Sequence, residues 1–214
     1  MKAKNNKEIV KILSTYKKIG KDIQKKFSQF RKIGKRLKDK EIFKELCFCI
    51  LTVQSKAENC WKCIESLDDA NLLEKGSSDE VMRRLKGVRF HKNKAKRIIE
   101  ARSSLQILVR MLEYETDSTQ IRQWLVENVN GLGMKEATHF LRNIGKADNL
   151  AILDRHILRR LHKLGIIEKI PESLSIKNYL EIEKKMQIFA ESIKIPVNHL
   201  DFVFWYQETG RIFK

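Results

Sequence analysis

The sequence predicts an all-α protein. Apolar residues recur at helical spacing along most of its 214 residues. Only two prolines and nine glycines occur, which argues against a sandwich or a repeat of short strands. Because 42% of the residues are hydrophobic, the chain can bury a proper core.

The first segment, from Asn5 to Lys32, alternates lysines with apolar residues at helical spacing. We expect two helices here, broken near Gly20, with lysine faces in solvent. Asp39 is the expected N-cap of a helix from Lys40 to about Val53. Apolar residues cover nearly the whole circumference of that helix, which predicts a place in the middle of a domain.

Further helices are predicted along the rest of the chain, at about 56–67, 78–86, 94–111, 119–129, 175–193 and 196–209. The last of these is mostly apolar at every spacing, so packing in the core is the simplest reading of its aromatic residues. No repeat or low-complexity segment interrupts them.

The run Asn130-Gly131-Leu132-Gly133-Met134-Lys135 stands at the start of another predicted helix. Two glycines around one apolar residue allow a tight turn whose N–H groups point outward at a helix N-terminus. The amides of Gly131, Gly133 and Lys135 are therefore candidate phosphate ligands.

Lys135 and Asp154 are the candidate catalytic residues. A lysine at the positive end of a helix and beside other cations is easier to deprotonate, which is how a lysine becomes a nucleophile. Asp154 follows an apolar run after the hairpin helix. We interpret it as the partner of Lys135.

These motifs resemble the helix-hairpin-helix DNA glycosylase superfamily, and within it the archaeal-type (type 2) 8-oxoguanine DNA glycosylase/lyases. The similar stretches are Gly133 to Asn143, Leu153 to Ile157, Phe43 to Thr52, and a C-terminal stretch from Leu200 to the terminal Lys214. They occur in family order over roughly residues 40 to 214.

The resemblance implies how the domains are organised. Residues 36–148 would form a six-helix bundle ending in the helix-hairpin-helix. Residues 1–35 together with 149–214 would form a second helical lobe carrying the catalytic aspartate and the C-terminal tail. The active site would lie in the cleft between the two lobes.

The resemblance also implies a bifunctional DNA N-glycosylase and abasic-site lyase of base-excision repair. An 8-oxoguanine flipped out of the duplex would be displaced by attack of the Lys135 amine on C1′. The resulting Schiff base would undergo β-elimination and nick the strand. Asp154 would favour the positive charge that develops on the sugar and the amine.

Four further residues take base-pocket roles from the resemblance: His139, Asp201, Trp205 and Lys214. The indole can stack on a flipped purine, and the terminal residue brings a main-chain carboxylate and an ammonium together. Each has a structural alternative, namely a packed histidine, core side chains or a frayed tail.

Phe90 and Gln54 take roles in contacting the duplex. Phe90 lies among six cations in the run from Lys86 to Arg97, which suits a wedge in the base stack with neighbours on phosphates. Gln54 can offer a donor and an acceptor to the orphaned base. The alternatives are packing under a basic helix start and a plain loop glutamine. The roles of Arg155 and His156 stay open.

The formal charge of +17 favours a polyanionic partner. With the hairpin, this indicates double-stranded DNA, and under the resemblance DNA containing 8-oxoguanine. A lysine-rich proteome, such as a thermophile's, is the alternative source of this charge. We expect a monomer with no protein partner.

Four cysteines fall in the first third, at Cys47, Cys49, Cys60 and Cys63. One pair is Cys-x-Cys within an apolar helix, where the two side chains point to different faces and suit zinc poorly. We expect buried reduced thiols. Related endonucleases carry an iron–sulfur cluster near the C-terminus, yet no cysteine follows Cys63, so we expect no cluster, metal or other cofactor.

No apolar run reaches the roughly 18 residues that a membrane helix needs, and the lysine-rich N-terminus lacks an apolar signal core. We expect an intracellular prokaryotic protein of the cytoplasm and nucleoid.

Two other functions fit parts of the pattern. A non-catalytic helix-hairpin-helix DNA-binding module would explain the hairpin but not the lysine and aspartate. A glycosylase for another damaged or mismatched base would explain both, although the C-terminal motifs and the missing cluster cysteines count against it.

Overall fold

The computed structural model describes residues 2–214, with side chains described from Asn6 onward. This part of the chain is helical, without strands, which confirms the all-α prediction. None of its helices is both long and apolar enough to cross a membrane. The helices are α1 (Lys2–Arg36), α2 (Asp39–Thr52), α3 (Ala57–Asp69), α4 (Leu72–Lys75), α5 (Ser78–Arg84), α6 (His91–Tyr114), α7 (Ser118–Asn128), α8 (Met134–Asn143), α9 (Arg155–Lys163), α10 (Ile176–Ser192) and α11 (Val197–Thr209).

The chain divides into two compact units. The first comprises residues 1–29 and 147–213, and the second comprises residues 30–146 together with Lys214. The sequence-based division differs by a few residues at each boundary. It also assigned Lys214 to the lobe with the rest of the tail, whereas the ammonium of Lys214 pairs with Glu45 of the second unit.

The expected break near Gly20 does not occur, and α1 is one continuous helix. Its buried positions include Ile12, Ile19, Ile23 and Phe27, which form an unbroken stripe at helical spacing. One glycine inside a helix costs only about 1 kcal/mol, so packing along the stripe outweighs it.

Helix α2 forms the centre of the second unit, where it packs against α3, α6 and α8. Residues from Ile42 to Thr52 are buried, apart from the partly exposed Lys44, in agreement with the apolar circumference. The N-cap is Lys38, not Asp39 as predicted. The Asp39 carboxylate accepts a hydrogen bond of 2.5 Å from Gln106 Nε2 and lies inside the first turn.

The four cysteines are free and buried, which confirms the expectation of reduced thiols. Burial raises the pKa of Cys60 to about 11 and raises the pKa of Cys63. Cys60 donates to the carbonyl of Leu51 at 3.2 Å. These thiols thus belong to the packing between α2 and α3.

In the first unit, α11 packs against α9 and α10. The side chain of His199 lies between two aromatic residues of α1: its Nδ1 is 3.0 Å from the hydroxyl of Tyr16, and its ring centroid is 4.6 Å from that of Phe27. Phe27 also meets Phe202 edge-on at 5.9 Å. These contacts join the first part of α1 to α11.

Candidate active site and DNA interface

The glycine-rich run forms the turn between α7 and α8. The N–H of Leu132 donates to the carbonyl of Val129 at 3.1 Å. Gly131 has φ +93, a left-handed conformation that favours glycine. Gly133 is the N-cap of α8 and has no side chain to bond the N–H groups of the first turn. Such a helix start can bind a phosphate oxygen.

Arg122 braces this turn from α7. Its side chain is 2% exposed, and its Nη1 donates to Thr138 Oγ1 at 3.2 Å. Thr138 Oγ1 in turn donates to the carbonyl of Met134 at 2.8 Å, in the first turn of α8. The two helices of the hairpin are therefore bonded to each other through buried polar groups.

Lys135 is the second residue of α8. Its Nζ lies 3.5 Å from Glu136 Oε1, and its side chain is 24% exposed, so the amine keeps access to solvent. Arg97 lies against the turn, since a Cβ on Gly131 would be 2.6 Å from Arg97 Cδ. Positive side chains thus flank the N-terminus of α8.

His139 is buried four residues after Lys135, and its ring meets that of Phe48 edge-on at 5.6 Å. Burial, followed by the charges of Arg142 and Lys135, lowers its pKa well below the ordinary value, so the ring is neutral at neutral pH. Within the described residues neither ring nitrogen has a hydrogen bond of ordinary geometry. The main chain of Lys214 lies near the ring and partly opposes this lowering of the pKa.

The terminal Lys214 is anchored by its side chain. Its Nζ forms an ion pair with Glu45 Oε1 and lies 3.0 Å from the ring centroid of Trp61. The exposed fractions of the side chains are 14% for Lys214 and 3% for Glu45. Asn143 Nδ2 donates to the second oxygen of Glu45 at 3.0 Å. The structure therefore contradicts the alternative of a frayed tail at Lys214.

Sequence reasoning missed Glu45 and Trp61. Glu45 had a detectable signal, because an acidic residue inside a helix that is apolar all round needs a charged partner. The identity of that partner, at the far end of the chain, had no local signal.

Gln54 and Phe90 share an unusual backbone conformation. Both have positive φ, +52 and +57 respectively, and both side chains are exposed. Gln54 follows the end of α2, and Phe90 is the N-cap of α6. Positive φ in residues other than glycine is uncommon and occurs often at functional sites.

In the first unit, Asp154 is the N-cap of α9, and its Oδ1 accepts from the N–H of Ile157 at 2.7 Å. The extended segment before it is bonded to α10. Tyr179 donates to the carbonyl of Ala151 at 2.6 Å and accepts from the N–H of Leu153 at 3.2 Å. The position of Asp154 is thus fixed on both sides.

Trp205 and Asp201 lie on α11. Trp205 is 42% exposed, and its ring stands edge-on to that of His156 at 5.5 Å. His156 Nδ1 is 2.8 Å from Glu208 Oε2. Asp201 is partly buried. The neighbouring aromatics Phe202 and Phe204 are buried core residues, so the core alternative describes them and not Trp205.

Arg155 has a structural contact, since its Nη1 donates to the carbonyl of Pro171 at 2.8 Å. The predicted site residues fall into two groups. The second unit contains Gln54, Phe90, Gly131, Gly133, Lys135, His139 and Lys214, and the first unit contains Asp154, Asp201 and Trp205.

Two helices joined by a glycine turn with an uncapped second helix place the molecule among the helix-hairpin-helix proteins. The family model Ogg-HhH, described as 8-oxoguanine DNA glycosylase, matches residues 23–195. The chain therefore belongs to the 8-oxoguanine DNA glycosylase family.

Individual relatives agree. The chain is 44% identical to an 8-oxoguanine DNA glycosylase/AP lyase of Fusobacterium nucleatum subsp. nucleatum, over 82% of this chain and 83% of that protein. It superposes on Tm1821, the 8-oxoguanine DNA glycosylase of Thermotoga maritima, with a TM-score of 0.91 and 30% identity, covering 98% and 100% of the two chains. The Methanocaldococcus jannaschii 8-oxoguanine glycosylase/lyase in complex with a 15mer DNA containing 8-oxoguanine gives a TM-score of 0.88 and 36% identity, covering 96% and 99%.

Proposed function

We propose that this protein removes 8-oxoguanine from double-stranded DNA and then cleaves the strand at the resulting abasic site. Membership of the 8-oxoguanine DNA glycosylase family supports this function, as does the likeness to a relative bound to DNA containing 8-oxoguanine. Because the proposed substrate is DNA, we infer that the protein acts in the cytoplasm and nucleoid of a prokaryotic cell.

The observation that carries the proposal is the partly exposed amine of Lys135 beside the hairpin turn. In the proposed reaction its nitrogen forms a bond to C1′ while the bond from C1′ to the base breaks. Opening of the sugar ring leaves a protonated Schiff base, which acidifies the C2′ hydrogens. Loss of one such proton and of the 3′-phosphate cuts the strand.

Asp154 would stabilise the cation that forms at C1′ as the base leaves, because a fixed carboxylate lowers the energy of a developing positive charge. Oδ1 is already bonded to the N–H of Ile157, so Oδ2 is the oxygen left for this purpose. The N-cap bond fixes the direction of the carboxylate before substrate binds.

The phosphate groups next to the lesion would bind the N–H groups at Gly131, Gly133 and Lys135. The flipped base would stack on Trp205, and its polar edge would meet groups drawn from His139, Asp201 and Lys214. Phe90 would fill the stack and Gln54 would contact the orphaned base.

The test is borohydride trapping on a duplex that carries one 8-oxoguanine paired with cytosine. Borohydride reduces the Schiff base to a stable amine, so wild-type protein should become covalently attached to DNA. Lys135→Gln removes the attacking amine and should abolish both the adduct and strand cleavage. Lys75→Gln, at an exposed lysine of α4, is the matched control and should trap like wild type.

Two results would contradict the proposal. Binding of wild-type protein to the duplex without trapping or nicking would favour a non-catalytic DNA-binding module. Trapping on an abasic duplex, but not on 8-oxoguanine, would favour a glycosylase with another substrate base.

A further inference from the structure

Gln54 and Phe90 are held in strained backbone conformations on the surface. Their φ values of +52 and +57 lie in the left-handed region, which is strained for residues other than glycine and persists only where surrounding bonds enforce it. Phe90 is 52% exposed, so its own packing does not enforce the conformation.

The enforcing group on the Gln54 side is Lys94, which is 1% exposed. Its ammonium donates to the carbonyl of Leu51 at 2.8 Å, to the carbonyl of Val53 at 2.6 Å and to Ser55 Oγ at 3.1 Å. An ammonium has three N–H donors. All three are therefore used, on residues that lie on both sides of Gln54.

Ser55 extends this network to the Phe90 side. Ser55 Oγ, while accepting from Lys94, also accepts from the main-chain N–H of Arg89 at 3.0 Å. The main-chain N–H of Lys94 donates to the carbonyl of Phe90 at 3.0 Å. That backbone bond is the first of α6 and does not depend on the lysine side chain, so Ser55 Oγ is the atom that links the Phe90 loop to the Lys94 ammonium.

Joining two loops through a buried cation carries a desolvation cost. Burial lowers the pKa of Lys94 to about 8, with Arg97 and Arg89 acting in the same direction and Cys60 and Glu136 opposing them. Part of the cost is offset because its acceptors are carbonyls at the C-terminal end of α2, where the helix dipole favours a cation. A methionine would fill the volume without this cost, which indicates that the bonds themselves are what the site requires.

We propose that Lys94, through Ser55, is a positioning residue that holds the Gln54 loop (residues 53–55) and the Phe90 loop (residues 86–90) as one rigid surface for probing DNA. This inference rests on the proposed function, because it assigns the two exposed side chains to the wedge and the orphaned base. Opening a base pair in a stacked duplex is unfavourable and must be offset by contacts with the protein. Loops that are already fixed lose little conformational entropy on binding, so more of their contact energy remains available to open the pair.

The test compares Lys94→Met, Ser55→Ala and a matched control, Arg110→Met, which removes an exposed cation from the same helix. Two duplexes are used, with 8-oxoguanine opposite cytosine or opposite an abasic analogue, where no pair must be opened. Lys94→Met should slow excision about tenfold opposite cytosine and much less opposite the abasic analogue. Arg110→Met should behave like wild type on both.

A second readout reports the wedge directly. 2-Aminopurine placed beside the lesion fluoresces when it unstacks, so wild-type protein should raise its emission on binding and Lys94→Met should not. Equal slowing on both duplexes with a normal fluorescence rise would overturn the inference. If Lys94→Met fails to fold, Ser55→Ala decides, since it keeps the cation and removes only the oxygen that joins the loops.

The fluorescence measurement needs binding but no chemistry. Wild-type protein that binds and excises nothing would count against the proposed function, whereas an unchanged fluorescence rise in both variants would count against the Lys94 assignment. The two failures are therefore distinguishable.

Discussion

At the scale of the residue, Asp154 caps α9 with one oxygen, and the proposed function assigns the chemistry to the other oxygen. Oδ1 bonds the N–H of Ile157 at the start of α9. Asparagine caps helices as well as aspartate does, whereas alanine does not cap them. The structural and chemical roles of this side chain can therefore be separated by substitution.

We predict that Asp154→Asn keeps the unfolding free energy within a few tenths of a kcal/mol of wild type, while excision falls about 100-fold or more because the charge is lost. Asp154→Ala should show the same kinetic loss and a further stability loss of about 1 kcal/mol. Urea unfolding and single-turnover excision measure the two effects. If the Asp154→Asn variant unfolds as readily as the Asp154→Ala variant, the charge of Asp154, and not its cap bond, stabilises α9.

Glu45 and Lys214 form the second residue-scale prediction. In 8-oxoguanine N7 carries a hydrogen, whereas in guanine N7 is an acceptor. A fixed hydrogen-bond acceptor near this edge of the base therefore binds 8-oxoguanine better than guanine. The ion pair with Glu45 fixes the last residue of the chain. Glu45→Gln, like deletion of Lys214, should therefore lower the ratio of excision rates on 8-oxoguanine and guanine, by about tenfold for a contact worth roughly 1.4 kcal/mol.

Nicking of a preformed abasic site is the control for these variants, and it should survive because Lys135 and Asp154 are unchanged. Lys214→Met combined with Glu45→Gln should lose little more discrimination than either change alone. Additive losses, or an unchanged ratio of the two rates, would show that the ion pair does not contribute to base selection.

At the scale of the element, the hairpin turn depends on its two glycines in different ways. Gly131 has φ +93, and an added Cβ would lie 2.6 Å from Arg97 Cδ. Gly133 has φ −95, which any residue adopts, and its Cβ would lie 3.4 Å from Glu136 Oε2. Only the first position requires glycine for its backbone conformation.

We predict that Gly131→Ala lowers the unfolding free energy by about 1 kcal/mol and weakens DNA binding by displacing Arg97. Gly133→Ala should cost less than Gly131→Ala, because its φ is accessible to alanine and the lower entropy of the unfolded chain offsets the weaker capping by alanine. Thermal unfolding and fluorescence anisotropy with a labelled duplex give the two values. Equal destabilisation by both changes would mean that the turn is not limited by the φ angle of Gly131.

Helix bounds were predictable to within a few residues where the apolar pattern was strong, as in α10 and α11. The predicted helix break near Gly20 was wrong because the low helix propensity of a single glycine does not end a helix whose apolar stripe continues past it. The single-turn α4 had no periodic signal, because it spans only Leu72–Lys75.

At the scale of the whole molecule, a formal charge of +17 should make DNA binding strongly dependent on salt. Each neutralised phosphate releases counterions, so log affinity should fall linearly with log salt, at a slope of about −0.9 per phosphate. Arg97→Gln, beside the hairpin turn, should reduce the magnitude of this slope by about 1. Arg110→Gln, at an exposed cation of α6, should leave it unchanged, and titrations at several salt concentrations measure both.

A flat response in wild-type protein would contradict a phosphate-binding surface altogether. An equal reduction by both variants would mean that net charge, and not the position of Arg97, governs binding.

The sequence by itself determined the all-α class, the family, and the order of hairpin, lysine and aspartate, because each of these is written in residues close together in the chain. Only the tertiary structure decided which distant groups meet. The ammonium of Lys214 pairs with Glu45, 169 positions away, and Lys94 bonds the end of α2 across 41 to 43 positions. Buried charges require partners wherever the fold supplies them, and that requirement leaves no periodic pattern in the sequence from which the partner can be read.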